Sequence, residues 1–435
     1  MDKWIKKDLK YNWHPYTQMK DCRAFPPVMI EKAGGIKLYD RSGNFYYDTI
    51  ASWWCNVHGH NHPRIVKAIT EQAGRLDHLL FAGFTHRGAI LLAERLVSIA
   101  PENLKRVFFS DNGSTAVETA LKMSFQYWRN IGKKAKTGFI ALDAGYHGDT
   151  IGAMSVGGVS LFNEIFSSLF FRSFKAPSPY CYRCPMRKTR KSCSVECLGP
   201  LEDILKKNSN KVAAIILEPL VMAAGGMIIY PKEYLAGAAR LAKKHNVHLI
   251  ADEVATGFGR TGRMFACEHA SVKPDFMCLS KGITSGTLPL GATLTTEKIY
   301  RAFYGDYEKK KTFYHGHTYT ANPIACAAAL ASLDIFKEER TLDKVREKAA
   351  LLRNGLEKFR GLPVVSDVRS IGMIGALELA NDKVGRYIYK EGLKRRLILR
   401  PLGNITYLFL PLSVDKQELR YILDNTYHII KSVRK

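Results

Sequence analysis

Short apolar runs alternate with amphipathic stretches through the middle of the chain. Residues 87–99 (RGAILLAERLVSI) carry apolar side chains at helical spacing, and Val107-Phe108-Phe109-Ser110 reads as a short buried strand. Residues 114–130 predict a helix and 138–142 (GFIAL) a strand. Val212-Ala213-Ala214-Ile215-Ile216-Leu217 predicts an all-apolar strand, residues 233–245 a helix, and Val247-His248-Leu249-Ile250-Ala251 another buried strand. Buried strands separated by helices predict an α/β fold with a mostly parallel sheet covered on both faces. Such sheets bind ligands beyond the carboxyl ends of their strands.

The two ends of the chain are patterned differently. Residues 28–50 alternate apolar and polar around Gly34-Gly35 and Ser42-Gly43, which predicts small hairpins. Residues 340–360 predict a charged amphipathic helix, followed by strand-like Gly375-Ala376-Leu377-Glu378-Leu379 and Thr406-Tyr407-Leu408-Phe409-Leu410. We therefore expect residues 1–55 and 326–435 to form a small α+β domain and residues 56–325 a large one.

Composition narrows the classes. With 435 residues, 46% of them hydrophobic, the chain exceeds one ordinary domain of roughly 100–200 residues. Met1 to Lys7 is charged with no apolar run behind it, and no stretch approaches the length of a membrane span, so cytoplasmic residence without a membrane partner is the expectation. Lysine and arginine number 65 against 40 acids, a net charge of +25. The charge is spread along the chain, and its densest patches, Arg187 to Lys191 and Lys309 to Lys311, sit in no recognisable nucleic-acid module. A basic proteome or anionic small-molecule substrates suit this balance better than nucleic acid does.

Five of the nine cysteines are scattered (Cys22, Cys55, Cys267, Cys278, Cys326), and an odd count without a leader argues against a disulfide framework. The other four form Cys181-x2-Cys184-x8-Cys193-x3-Cys197 inside a basic insert at about 178–199. Four thiols so spaced could hold a structural Zn²⁺ tetrahedrally; the alternative is four reduced, unliganded cysteines.

Candidate chemistry begins with Leu249-Ile250-Ala251-Asp252-Glu253, where an acid ends a buried strand at the mouth of the sheet. Lys281 follows another apolar run, Phe276-Met277-Cys278-Leu279, and reaches the same edge. Each alone has a plain structural explanation, a turn aspartate and a solvated lysine. Together they suit pyridoxal phosphate, which needs a lysine for a Schiff base and an anion to keep its ring nitrogen protonated. Ser110-Asp111-Asn112-Gly113-Ser114 lies between a strand and a helix, where Gly113 permits close backbone approach, Ser114 offers a hydroxyl, and the helix N-terminus attracts phosphate. Tyr146, in Gly145-Tyr146-His147-Gly148, could stack on a flat ring.

The run from Ala251 to Gly262 (ADEVATGFGRTG), followed by Lys281, resembles the signature of class III aminotransferases, and Gly145 to Gly148 and Leu217-Glu218-Pro219 agree with it. Further stretches resemble the branch of that class that aminates the keto acid of biotin synthesis. They include Trp13 to Met19, Ser52-Trp53-Trp54 with Val57-His58-Gly59, Ala120 to Met123, Phe265 to His269 and Arg400-Pro401-Leu402-Gly403. The resemblance runs from about residue 10 to about residue 415.

The resemblance implies a fold-type I enzyme with pyridoxal 5'-phosphate as cofactor. Lys281 and Tyr16 would be catalytic. Gly113, Ser114, Tyr146, Asp252, Lys281, His317 and Thr318 would hold the cofactor, with Thr318 reaching it from the second subunit of a homodimer. Trp53, Tyr146, Lys281, Gly316 and Arg400 would bind substrate, Arg400 by clamping a carboxylate. The implied reaction passes an amino group from S-adenosylmethionine or lysine to 8-amino-7-oxononanoate, giving 7,8-diaminononanoate. His317 and its neighbours resemble the lysine-using enzymes, and Trp53-Trp54 resembles the adenosylmethionine-using ones. The alternatives are another ω-aminotransferase, acting on ornithine or 4-aminobutyrate, and, outside the class, a basic nucleic-acid-binding protein with a Cys-cluster finger.

Overall fold

The computed structural model describes residues 2–433. Near the N-terminus β1 (Ile30–Gly34), β2 (Lys37–Asp40) and β3 (Phe45–Tyr47) form an antiparallel meander. Gly35 and Gly43, both at positive φ, make its two turns possible. This is the hairpin region read from the alternating pattern.

The central sheet has seven strands. β4 (Leu104–Ser110), β5 (Gly138–Leu142), β6 (Phe174–Ala176) and β7 (Val212–Leu217) come first in the chain. A short hairpin of β8 (Val221–Met222) and β9 (Ile228–Ile229) intervenes. β10 (His248–Asp252), β11 (Phe276–Leu279) and β12 (Gly291–Thr296) complete the sheet in the order β4-β12-β11-β10-β7-β5-β6. Only β12 runs antiparallel to its neighbours. β7 and β11 are buried at every position, as strands covered on both faces must be. Helices Gly113–Asn130 and Lys232–Lys244 supply part of the cover, each with its buried residues on one stripe.

The C-terminal region adds an antiparallel sheet of β13 (Val365–Ile371), β14 (Ile374–Leu379) and β15 (Ile405–Phe409), covered by helices Thr341–Glu357 and Lys416–Lys431. The two ends of the chain meet through backbone bonds, Tyr47 N–H to the Arg396 carbonyl at 2.7 Å and Phe409 N–H to the Thr49 carbonyl at 2.8 Å. Helix Pro323–Glu338 runs across residues 325 and 326 and packs on helices Pro63–Ala73 and Arg87–Ile99 of the central region. Among the described residues no helix is long and apolar enough to cross a membrane.

Candidate active site

The carboxyl ends of β10 and β11 bring the acid and the lysine to one edge. Their register pairs Asp252 with Cys278, and the Glu253 N–H donates to the Cys278 carbonyl at 3.0 Å, so Lys281 leaves β11 within reach of Asp252. Lys281 sits at φ 45°, a backbone conformation that costs a non-glycine residue energy and persists only where its surroundings hold it. Lys281 is half-buried, its amine 4.9 Å from the centre of the Trp54 ring. Burial pulls its pKa below the ordinary lysine value, against the upward pull of the Asp252 and Glu218 carboxylates.

Asp252 is itself held firmly. Its Oδ1 accepts from the Val254 N–H at 3.1 Å and its Oδ2 lies 2.7 Å from Nδ1 of His147. His147 is buried, and its Nε2 has no partner among the described residues. Glu218 closes the floor, accepting from the N–H groups of Tyr146 (3.1 Å) and Ala223 (3.0 Å). Desolvation, with Asp252 nearby, pushes the Glu218 carboxyl up to about 8. His147 and Glu218 fall inside the quoted motifs, but the sequence reading assigned neither a role.

On the other side stands the N-terminus of helix Gly113–Asn130. Asn112 and Thr115 cap each other reciprocally there, by Thr115 N–H to Asn112 Oδ1 at 3.1 Å and Asn112 N–H to Thr115 Oγ1 at 3.0 Å. The N–H groups of Gly113 and Ser114, in the first turn, have no helical carbonyl to reach. A Cβ at Gly113 would lie 2.6 Å from Val254 Cγ1, and one at Gly148 2.4 Å from Ser114 Oγ. Two loops therefore close tightly on the helix end because these positions have no side chain. Ser114 Oγ meets Thr150 Oγ1 at 2.7 Å, and the Thr150 hydroxyl donates to Glu118 Oε1 at 2.6 Å.

Asn112, Ser114, Tyr146, His147, Asp252 and Lys281 all line one cavity of about 490 Å³. It opens beside a larger one of about 1060 Å³, which shares Lys281 and Tyr146 and is lined also by Tyr16, Trp53, Phe162 and Arg400. The Tyr16 and Tyr146 hydroxyls both donate to Asp149 Oδ1, at 2.7 and 3.0 Å. Burial and that carboxylate push the Tyr16 phenol up to about 12, so it stays a hydrogen-bond donor at neutral pH. Trp53 packs edge-on to Tyr16 at 5.8 Å and carries the Arg400 guanidinium over its ring at 4.4 Å. Ala51, Ser52 and Trp54 all have positive φ, a strained turn that aims Trp53 into the cavity and Trp54 at Lys281.

Arg260 explains how that turn is held. It is fully buried and donates to the carbonyls of Leu410 (2.7 Å), Trp54 (3.2 Å) and Asn56 (2.7 Å), tying the turn to the C-terminal region. Desolvation pulls it down to about 10. Its place in the ADEVATGFGRTG run was visible, but its partners were not.

Gly316, His317 and Thr318 line neither of the two cavities around Lys281 within the chain. His317 Nδ1 lies 3.3 Å from Asp111 Oδ2, and Thr318 is exposed.

This geometry can be set beside known proteins. Residues 18–430 match the family described as Aminotransferase class-III. The chain belongs to the class-III aminotransferases. An adenosylmethionine-8-amino-7-oxononanoate aminotransferase of Geobacter sulfurreducens is 47% identical over 438 residues, covering 98% of this chain and 97% of its own. The crystal structure of such an enzyme from Methanocaldococcus jannaschii superposes with a TM-score of 0.94 at 41% identity, covering 99% of each chain. An ω-transaminase of Pseudomonas jessenii in complex with PMP superposes with a TM-score of 0.93 at 31% identity, covering 98% of this chain and 97% of that one.

As a class-III aminotransferase the protein is a pyridoxal-phosphate-dependent transaminase of fold type I. The donors around Lys281 fit that cofactor. The helix terminus suits a phosphate, the Tyr146 ring a planar heterocycle, the fixed Asp252 carboxylate a protonated ring nitrogen, and the lysine amine an aldehyde carbon.

The cysteine insert corrects the sequence expectation. Cys181, Cys184, Cys193 and Cys197 are all free, and among the described residues no group of three or more His, Cys, Asp or Glu side chains could hold a metal ion. In this aminotransferase the insert is held by other contacts. Arg183 bonds to Glu378, Arg190 to Glu233 at 2.9 Å, and Cys193 Sγ accepts from the Val195 N–H at 3.2 Å. Burial, reinforced by the neighbouring cysteines, lifts the Cys197 thiol to about 11 and raises that of Cys181.

Proposed function

We propose that this aminotransferase passes an amino group from S-adenosylmethionine or lysine to 8-amino-7-oxononanoate, giving 7,8-diaminononanoate for biotin biosynthesis. The observation that carries the reading is the large aromatic-walled cavity, about 1060 Å³, with Lys281 and Arg400 both in its lining. Such a cavity suits a long aliphatic keto acid whose carboxylate lies far from its reacting carbon. The names of the relatives from Geobacter sulfurreducens and Methanocaldococcus jannaschii support the same substrate.

When bound, pyridoxal phosphate supplies the electron sink that makes the substrate's Cα proton removable. The remaining work falls to the chain. Lys281 would carry the cofactor and, once displaced, take the Cα proton on Nζ, which its lowered pKa keeps ready to accept it. Asp252, fixed by His147 and the Val254 N–H, would hold a proton on the ring nitrogen. Gly113 and Ser114 would bind the phosphate, and Tyr146 would lie against the ring. Tyr16, kept protonated, would steady Asp149 and close the mouth of the cavity, while Trp53 would line it. Arg400 would take the acceptor's carboxylate through its planar fork.

Thr318 of the partner subunit, with Gly316 and His317 beside it, would complete the phosphate site in a homodimer. Exposed Leu80, Phe84, Tyr314 and Tyr319 support that reading, because an apolar surface beside Thr318 invites a second copy. The division into 56–325 and a unit of both ends belongs to the same proposal. So does cytoplasmic residence, which nine free cysteines favour.

The deciding experiment is a donor panel with 8-amino-7-oxononanoate as acceptor. Formation of 7,8-diaminononanoate with one of the two donors is expected. Efficient turnover of ornithine or 4-aminobutyrate, with none of this acceptor, would replace the reading by another ω-aminotransferase.

A further inference from the structure

The cysteine insert shows no metal-holding group among the described residues, yet it does not stand apart from the chemistry. Tyr180 and Arg183 both line the same cavity as Lys281 and Arg400. They converge on Glu378 of β14, whose side chain is 3% exposed. The Tyr180 hydroxyl donates to Glu378 Oε2, and Arg369 Nη1 bonds the same oxygen at 3.1 Å. Arg183 uses Nε (3.0 Å) and Nη2 (2.6 Å) on Oε1.

The two arginines differ in what they have left. Arg369 is nearly saturated, with four of its five N–H groups bonded. Its Nη1 also reaches Asp367 at 2.7 Å, its Nη2 the Gly226 carbonyl at 2.6 Å, and its Nε the Met227 carbonyl at 2.8 Å. The Arg183 side chain is 62% exposed, and its Nη1 has no partner among the described residues. A buried carboxylate thus orients a guanidinium whose outer edge lies open at the cavity wall. Glu378 would keep two partners without it.

A ping-pong enzyme must seat two different substrates in one cavity, each with its reacting carbon at Lys281. The carboxylate of an amino-acid donor and that of the long keto acid then fall at different distances from that point. A second guanidinium in the same cavity gives each carboxylate its own partner. We propose that the insert lends Arg183 to the cavity as a second carboxylate anchor, used by the amino-acid donor, while Arg400 serves the acceptor. This rests on the functional reading above.

Matched donors test it. L-lysine and S-adenosylmethionine are each titrated against the decarboxylated counterpart, cadaverine and decarboxylated S-adenosylmethionine. The loss of the bound cofactor's visible band reports the donor half-reaction without any acceptor. In R183Q the concentration of amino acid needed for half-conversion should rise about tenfold or more, the loss of a charged bidentate contact. The decarboxylated amine should convert wild type and R183Q alike. R183K, which keeps the charge without the fork, should fall between. The melting temperature and the acceptor half-reaction, started from the aminated enzyme, should be unchanged. A wild type converted by neither amino acid overturns the donor reading and this inference with it. A converted wild type whose R183Q affinity is unchanged, or weakened equally for both members of a pair, overturns the inference alone.

Discussion

Around Asp252 the site is assembled from strand ends, one helix terminus and a few unbroken runs of sequence. Around Arg400 it is assembled from the N-terminal loop, the Trp53 turn, the cysteine insert, β14 and the segment before β15. The first wall is sealed. Asp252, His147, Glu218 and Ser114 are tied by bonds of 2.7–3.1 Å to neighbours within the central sheet and its loops. The second is open, with Tyr16 and Trp53 48% and 39% exposed. Its stiffness comes from stacking and from Arg260 gripping three carbonyls. The contrast follows the chemistry. Holding a cofactor and moving one proton needs fixed charges in a dry place, whereas admitting two substrates in turn needs a surface that can be entered and left.

Substitutions should therefore hit turnover on the sealed wall and apparent affinity on the open one. The largest effect belongs to Lys281→Ala. Removing the lysine amine at the strand edge should cut turnover about a thousandfold or more and abolish the visible band near ~420 nm of a lysine-bound cofactor. Near-normal kcat would break the assignment outright.

Asp252→Asn comes next. The shape is kept and the charge is lost, so kcat should fall roughly a hundredfold while KM for either substrate moves little. A change confined to KM would move Asp252 to the open wall's class. On that open wall Arg400→Ala should do the reverse. KM for 8-amino-7-oxononanoate should rise about ten- to a hundredfold, with kcat nearly unchanged and an amine lacking a carboxylate unaffected. Equal losses for both compounds would mean a damaged fold.

Tyr16→Phe removes one hydroxyl from Asp149 while leaving the edge-on packing against Trp53. A two- to tenfold rise in KM is expected, the size of one ordinary hydrogen bond.

The smallest effect concerns pH. The neutral amine of Lys281 is the reactive form, and burial places its pKa below 10.5. Capture of pyridoxal phosphate by the cofactor-free protein should rise with pH and level off below that value. Trp54→Ala would admit water beside Nζ and move the levelling-off upward. An unmoved profile would show that Trp54 does not keep the amine dry.

Strands and helices of the central region were legible because their apolar periodicity is local. The predicted 87–99, 138–142, 212–217 and 276–279 coincide with the elements of the structure. The acid and the lysine were legible for a related reason, since each ends an apolar run and strand ends of a parallel sheet share one edge. What the chain order hid was every contact that depends on segments arriving from far away. The antiparallel course of β12 between β4 and β11 was one such case, because no feature of Gly291 to Thr296 announces its direction. Arg260 was another, since its three carbonyl partners come from residues 54, 56 and 410.

The cysteine insert marks the boundary most sharply. Spacing alone suggested four thiols for zinc, but among the described residues no group of side chains is arranged to hold a metal ion. The folded loop buries Cys197 and half-buries the other three thiols, raises the pKa values of Cys181 and Cys197, and brings Tyr180 and Arg183 to the substrate cavity. Sequence by itself determined the family, the central strands and the residues suited to a cofactor, because these reside in contiguous motifs and local periodicity. Tertiary structure alone decided the burial that tunes Lys281 and Glu218, the grip of Arg260 on the Trp54 turn, and the use of the insert as a wall. Desolvation and long-range hydrogen bonds exist only once distant segments have packed.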